Sequence, residues 1–425
     1  MTTHLATPAA HPGDVSLFER HESEVRLYSR KFPVVFDRAE GSWLHSDDGR
    51  DFLDFFCGAS ALNYGHNPPH AKRRLLDYLA GGGLVHGLDT STEAKRDFLA
   101  RLHEVVLAPN GLPHKVQFCG PTGTDAVEAA LKLARKATGR QTVVAFTGAF
   151  HGMSRGSLSV TGSLRARAAG GVGLQDVVFV PYEDGPGGAF DSIGYLERLL
   201  LDPAGGVGLP AAVIVEPVQV DGGVYPASAD WLRRLRALTE RLGALLICDD
   251  IQAGVGRTGG FFSFAHAGIT PDLITLSKSL SGFGLPLSVL LIAPDFDVWE
   301  PGEHTGTFRG NQLAFVTGTA VLDLWTSPEF TTAVEENSRT LQHGVRRLGE
   351  GRPDVAVRGR GMLAGLDVGD TSRAERIQKH CFDHGLVLEL CGRDDQVVKL
   401  MPPLNITEAD LRRGLDVVAS ALDAA

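Results

Sequence analysis

Short apolar runs alternate with amphipathic stretches through the middle of this chain. Between about Ala71 and Asp297 the runs "TVVAF", "VVFV", "AAVIV", "ALLIC" and "LITL" are separated by helical stretches or loops, the signature of βαβ units and a mainly parallel sheet. The clearest helix between runs is "DWLRRLRALTERLG". Leu232, Leu235, Leu238 and Leu242 recur on one face, and Gly243 stands where a C-terminal cap belongs. After about Ala314 the pattern turns to charged amphipathic helices ("FTTAVEENSRTLQHGVRRLGE") and short strands near "VAVRGRG", "LAGLDV" and "VVKLMPPL". The expectation is an α/β protein with a large domain over 71–314 and a smaller α+β domain over 315–425. Residues 15–70 would form an arm packing with the small domain, and the polar, Pro- and Ala-rich residues 1–14 would be disordered. No internal repeat is visible.

Composition narrows the function. The chain has 425 residues, enough for a large core, and its 41 basic against 51 acidic residues give a net charge of −10 without a basic block. Nucleic acid and anionic membrane surfaces are therefore not expected partners, and a small molecule is. No apolar run approaches bilayer length, and the N-terminus "MTTHLATPAAHPGD" lacks the charged and apolar regions of a signal sequence. The expected location is the cytoplasm. Five scattered cysteines with no CxxC pair fit reduced thiols.

Candidate chemistry lies at the ends of two apolar runs. In "ITLSKSLSG" Lys278 follows a strand-like run and is bracketed by Ser277 and Ser279. It is either a solvated loop lysine or a desolvated, neutral amine nucleophile. Asp249 follows "ALLIC", so both can reach the carboxyl edge of one sheet, where such sheets bind ligands. An acid and a desolvated lysine there suit pyridoxal phosphate, the lysine as covalent anchor and the acid as partner of the ring nitrogen. "GPTGTDAVEAALKLARK" offers a helix N-terminus for a phosphate, with Gly120, Gly123, Thr122 and Thr124 at its start; the alternative is an ordinary capped helix. "GVGRTG" matches a dinucleotide fingerprint, but an amphipathic helix does not follow it. His380 and His384 in "HCFDH" stand one turn apart without a third ligand nearby, so no metal is expected.

Together these stretches resemble the class III, fold-type I pyridoxal phosphate aminotransferases, from about Phe18 to Leu422. The resemblance implies that Lys278 in "SKSLSG" is the Schiff-base lysine and Asp249 in "DDIQAGVGRTG" the acid on the ring nitrogen. It implies that Gly123 and Thr124 bind the phosphate, that Phe150 in "GAFHG" stacks on the ring, and that Gln252 lies near the 3-oxygen. His151 and Glu216 would belong to the same cofactor site. Thr307 in "HTGTFRGNQLAF" would reach the phosphate of a neighbouring subunit, giving a homodimer with shared active sites that could pair further into a dimer of dimers. Within the family the stretches "ESEVRLYSRKFPVVF", "LNYGHNPP", "VHGLDTSTEAKRDFL" and "SKSLSGFGLPLS" are similar to the diaminobutyrate:2-oxoglutarate branch, which serves ectoine synthesis among other pathways.

The implied reaction moves the amino group of L-glutamate to the terminal aldehyde of L-aspartate 4-semialdehyde. Alternatives are another ω-amine or aldehyde, a decarboxylase, racemase or aminomutase on the same scaffold, or a non-catalytic protein with this fold. The chain departs from the wider family in three places. Met153 stands where many members have an arginine, "EPVQVDGGV" has Val220 for a glycine and the shorter acid Asp221, and Lys399 matches an arginine. Candidates for holding substrate carboxylates are Lys399, Arg309, Arg155 and Arg30, with Asp221 expected to pair with Lys399 in one half-reaction.

Overall fold

A computed structural model describes residues 12–171, 173–185 and 187–425. The stretch expected to be disordered lies outside the described residues through residue 11; just after it the Gly13 amide donates to Asp47 Oδ1 at 2.9 Å.

The large part is built on a seven-stranded sheet in the order Lys115–Phe118, Val289–Ile292, Leu273–Leu276, Leu245–Asp249, Ala212–Val215, Val143–Phe146, Val177–Val180. The last five of these pair in parallel. Val289–Ile292 runs antiparallel to both of its neighbours. The central strands read as unbroken apolar runs because both faces are covered. Alternate side chains Val143, Ala145, Ile214, Leu245 and Ile247 pack on Val127, Ala130, Leu131 and Ala134 of the helix Gly123–Thr138. The intervening Val144, Phe146, Val213, Leu246 and Cys248 pack with Leu232, Leu235 and Leu238 of the helix Ala229–Leu242. That helix ends on Gly243 at φ 57°, the left-handed conformation that glycine adopts without Cβ strain.

Three features differ from the sequence pattern. The strand Val289–Ile292 is not among the runs read as strands, and it enters the sheet antiparallel. The edge strand Lys115–Phe118 is only partly buried, so it carries no apolar run to betray it. The helix Gln312–Leu322 runs across the 314/315 junction suggested by composition, because Ala314, Phe315, Ala320 and Val321 are buried in the core of the large part.

The C-terminal part is an antiparallel sheet in the order Ala356–Arg360, Leu363–Asp367, Val397–Leu400, Glu389–Cys391, packed with the helices Pro328–Gly349, Thr371–Asp383 and Glu408–Ala424. The arm adds the antiparallel strands Phe36–Glu40, Trp43–Ser46 and Asp51–Asp54; the last pairs in parallel with Leu386–Val387, and Phe32 and Phe52 pack on Phe382 and Val387. Arg257, fully buried, joins these parts. Its guanidinium donates to the Met362 and Pro402 carbonyls at 2.9 and 2.5 Å and to Asn63 Oδ1 at 2.6 Å. The "GVGRTG" stretch is thus a buried turn that places this arginine.

Candidate active site

Asp249 is the last residue of its strand, where the sequence pattern suggested the first beyond it, and its register partner is Thr275 on the neighbouring parallel strand. The carboxylate is buried. Oδ2 meets His151 Nδ1 at 2.7 Å, while Oδ1 accepts from Thr275 Oγ1 at 3.0 Å and from the Ile251 amide at 3.2 Å. His151 Nε2 is buried without a hydrogen-bond partner among the described residues. Adjacent Asp250 points elsewhere and accepts from the Ser263 amide at 3.0 Å and from its hydroxyl; burial pushes its carboxyl up to about 7. Of the two neighbouring acids, Asp249 faces the site and Asp250 braces a loop. Glu216, just past its own strand, accepts from the Phe150 amide at 2.8 Å. Burial, and then the nearby Asp249, hold its carboxyl well above the ordinary range.

Lys278 begins a short 3-10 turn after Leu273–Leu276 and has φ 50°, a left-handed conformation that a non-glycine residue keeps only when its surroundings enforce it. The two flanking serines do so. Ser277 Oγ donates to the Leu287 carbonyl at 2.8 Å. Ser279 Oγ donates to the Ser60 carbonyl at 2.6 Å and accepts from the Asn63 amide at 2.8 Å. The segment it grips is a left-handed turn, with Cys57, Gly58, Ala59 and Ser60 all at positive φ, closed by Asp54 Oδ1 accepting from the Phe56 and Cys57 amides. The Lys278 amine makes no hydrogen bond or ion pair with a described residue. Desolvation, and then the cation of Lys399, push it down to about 8.

Lys399 is fully buried on Val397–Leu400 and directly faces Glu389 across the antiparallel pair. Its Nζ lies 2.9 Å from Glu389 Oε2 and 3.9 Å from Asp221 Oδ1. Burial alone would lower Lys399, but Glu389, the Cys391 thiol and Asp221 outweigh it and hold the amine above its ordinary value. Glu389 is also fixed by the hydroxyl of Tyr28, which donates to Oε1 at 2.7 Å from the arm. Sequence reading named Lys399 and Asp221 but missed Glu389 and Tyr28; the only available signal was an acid on a strand beside a lysine-bearing strand, which needs the register to interpret. Val220, where the resemblance implies a glycine, packs with Val224, Leu363, Cys391 and Met401.

The remaining candidates hold varied positions. Gly123 and Thr124 start the helix Gly123–Thr138, and their amides are without partners among the described residues. A Cβ on Gly123 would come within 2.9 Å of Ile251, so glycine lets the helix start lie against the segment after Asp249. Thr124 Oγ1 contacts Ser154 Oγ at 2.8 Å and Ser157 Oγ at 2.6 Å. Phe150 is half-buried. Gln252 Nε2 reaches the Ala59 carbonyl at 3.4 Å. Arg155 is exposed, Arg30 pairs with exposed Glu24, and Arg309 donates to the Thr305 carbonyl at 3.2 Å. Thr307 is exposed, its carbonyl accepting from His86 Nε2 at 3.0 Å. His380 and His384 stack on each other at 4.0 Å, and no group of three metal-ligating side chains occurs among the described residues. Pyridoxal phosphate requires a neutral primary amine, an anion for its ring nitrogen and free amides for its phosphate. Lys278, Asp249 and the open helix start at Gly123 fit that group.

A fold of this kind, with an amine and an acid on adjacent strand ends, defines a class, and the family pattern "Aminotransferase class-III" matches residues 26–422. The chain belongs to the class III aminotransferases, fold-type I transaminases that depend on pyridoxal phosphate. It is 50% identical over 416 residues to a diaminobutyrate–2-oxoglutarate transaminase of Bordetella parapertussis, covering 97% of this chain and 96% of that one. A diaminobutyrate–2-oxoglutarate transaminase of Streptomyces coelicolor is 51% identical over 415 residues, 96% of this chain and 98% of that one. The crystal structure of ornithine aminotransferase from Toxoplasma gondii shares the fold, with a TM-score of 0.83 at 24% identity over 96% of this chain and 94% of that one.

Proposed function

We propose that this chain transfers the amino group of L-glutamate to the aldehyde carbon of L-aspartate 4-semialdehyde, releasing 2-oxoglutarate and L-2,4-diaminobutyrate. The observation that carries the reading is the desolvated Lys278 amine set between Asp249 and the Lys399, Glu389 and Asp221 charges. When bound, pyridoxal phosphate supplies an aldehyde that takes and releases the amino group and a ring that withdraws electrons from the reacting carbon. Lys278 anchors it and carries the proton to and from that carbon at Nζ. Asp249, oriented by His151 and Thr275, would supply the anion for the ring nitrogen. The Gly123 and Thr124 amides would receive the phosphate, and Phe150 and Gln252 would hold the ring at its face and near its 3-oxygen.

The assembly in this reading is a homodimer. Thr307 sits in an exposed loop beside Phe308, which is 66% exposed, and the His86 contact ties that loop to exposed Leu84, Val85 and Leu88. Contiguous apolar exposure of this kind marks a protein interface, and a second copy would bring Thr307 to its partner's phosphate. The five buried thiols suit a reducing cytoplasm, and diaminobutyrate formation suits an ectoine-type pathway. The test is incubation with glutamate and aspartate semialdehyde followed by product identification. Diaminobutyrate and 2-oxoglutarate in equal amounts are expected, with turnover abolished in Lys278→Ala; 2-oxoglutarate formed without diaminobutyrate would overturn the acceptor assignment.

A further inference from the structure

The two substrates of the proposed reaction differ in charge. Aligned on the reacting carbon, both carry a remote carboxylate beyond two intervening carbons. Glutamate has an additional carboxylate on the reacting carbon. The semialdehyde and its product have none there, but they carry an ammonium beside the remote carboxylate. One pocket must therefore accept an extra anion in one half-reaction and an extra cation in the other.

The Lys399–Glu389 pair has the composition for both. Both are buried, at 0% and 7% exposure, and they are register partners on adjacent strands. The Lys399 ammonium and Glu389 Oε2 meet at 2.9 Å. Glu389 Oε1 is held from the other side by Tyr28, so the carboxylate is positioned independently of Lys399. Asp221 is half exposed and lies farther from Lys399, at 3.9 Å. Each end of the pair thus has capacity to spare: an ammonium has three donors and a carboxylate oxygen two acceptor sites, more than the single contact between them uses.

Resting on the reaction proposed above, we infer that Glu389 is the specificity-determining residue for the second half-reaction, accepting the non-reacting ammonium of diaminobutyrate and of the semialdehyde. Lys399 takes the carboxylate that only glutamate carries on its reacting carbon. The empty pair neutralises itself, and each substrate displaces one half of it.

The experiment uses the cofactor-loaded enzyme and a single half-reaction, followed by the change in cofactor absorbance. The amino donors are L-2,4-diaminobutyrate and 4-aminobutyrate, which has the same chain and carboxylate and lacks only the ammonium. The wild type favours diaminobutyrate. Glu389→Gln lowers the ratio of kcat/KM for diaminobutyrate over 4-aminobutyrate by roughly ten- to a hundredfold, the usual effect of losing a charge-assisted contact. Glu389→Asp, which keeps the charge, recovers part of the ratio. Equal losses for both donors, or an unchanged ratio, would overturn the inference and reduce Glu389 to a support for Lys399. A wild type that reacts with glutamate but not with diaminobutyrate would instead overturn the proposed reaction, and this assignment with it.

Discussion

Ser279 ties Lys278 to the arm: its hydroxyl donates to the Ser60 carbonyl and accepts from the Asn63 amide, holding two distant loops at the residue next to the candidate anchor. Ser279→Ala leaves a buried amide and a buried carbonyl without that partner, each costing about 1–3 kcal/mol when nothing replaces it. The variant should melt at a lower temperature and release cofactor faster, because Lys278 loses the restraint on its left-handed backbone. Thermal melting and cofactor dissociation kinetics check this; unchanged values in both would show that the bridge does not matter.

The lowered amine of Lys278 sets a pH dependence. Its folded value, about 8, lies below the ordinary lysine value, so the neutral, nucleophilic form predominates above about pH 8 and is lost as pH falls through it. Capture of pyridoxal phosphate by cofactor-free enzyme should accelerate with a midpoint near there. Lys399→Met removes the second contributor to the shift and should move the midpoint upward. A midpoint at the ordinary lysine value in the wild type would contradict the desolvated environment.

Asp249→Asn should fold, since an amide oxygen can still accept from Thr275 Oγ1 and the Ile251 amide. It loses the anion proposed to face the ring nitrogen, and preorganised charges of that kind are worth about 10²- to 10³-fold in rate. Transamination should fall by that order while the melting temperature changes little. An asparagine variant of normal activity would remove Asp249 from the mechanism.

If Thr307 serves the partner's site, activity should follow dimer concentration on dilution. Replacing exposed Leu84 and Val85 by aspartate should yield monomers with weak cofactor retention. Light scattering and activity on the same dilution series decide it, and a fully active monomer would exclude a shared site.

Lys278 and Asp249 were legible in the sequence because each closes a continuous apolar run, and a strand buried on both faces leaves few other readings. The same rule read four of the central strands and the strand of Val177–Val180. It passed over Lys115–Phe118, whose half-buried side chains give no run, and also Val289–Ile292, although that strand is an unbroken buried run. Glu389 and Tyr28 were not legible, since their contact joins positions separated by 361 residues and depends on where the arm folds back. Ser279 was noticed only as a flanking residue. Its partners, Ser60 and Asn63, lie in a turn whose positive φ values fall largely on residues other than glycine, so composition gave no warning.

Arg257 limits how the enzyme can move. Its buried guanidinium is held at once by Met362 and Pro402 from the C-terminal part and by Asn63 from the arm. A hinge rotation opening that seam would strand a cation away from water and from its acceptors, a penalty of several kcal/mol. Arg257 thus latches the C-terminal part and the arm to the segment after Asp249. In the proposed reaction, exchange of one substrate for the next would then rest on side chains such as half-exposed Asp221 and the arm residue Tyr28 rather than on opening of this seam.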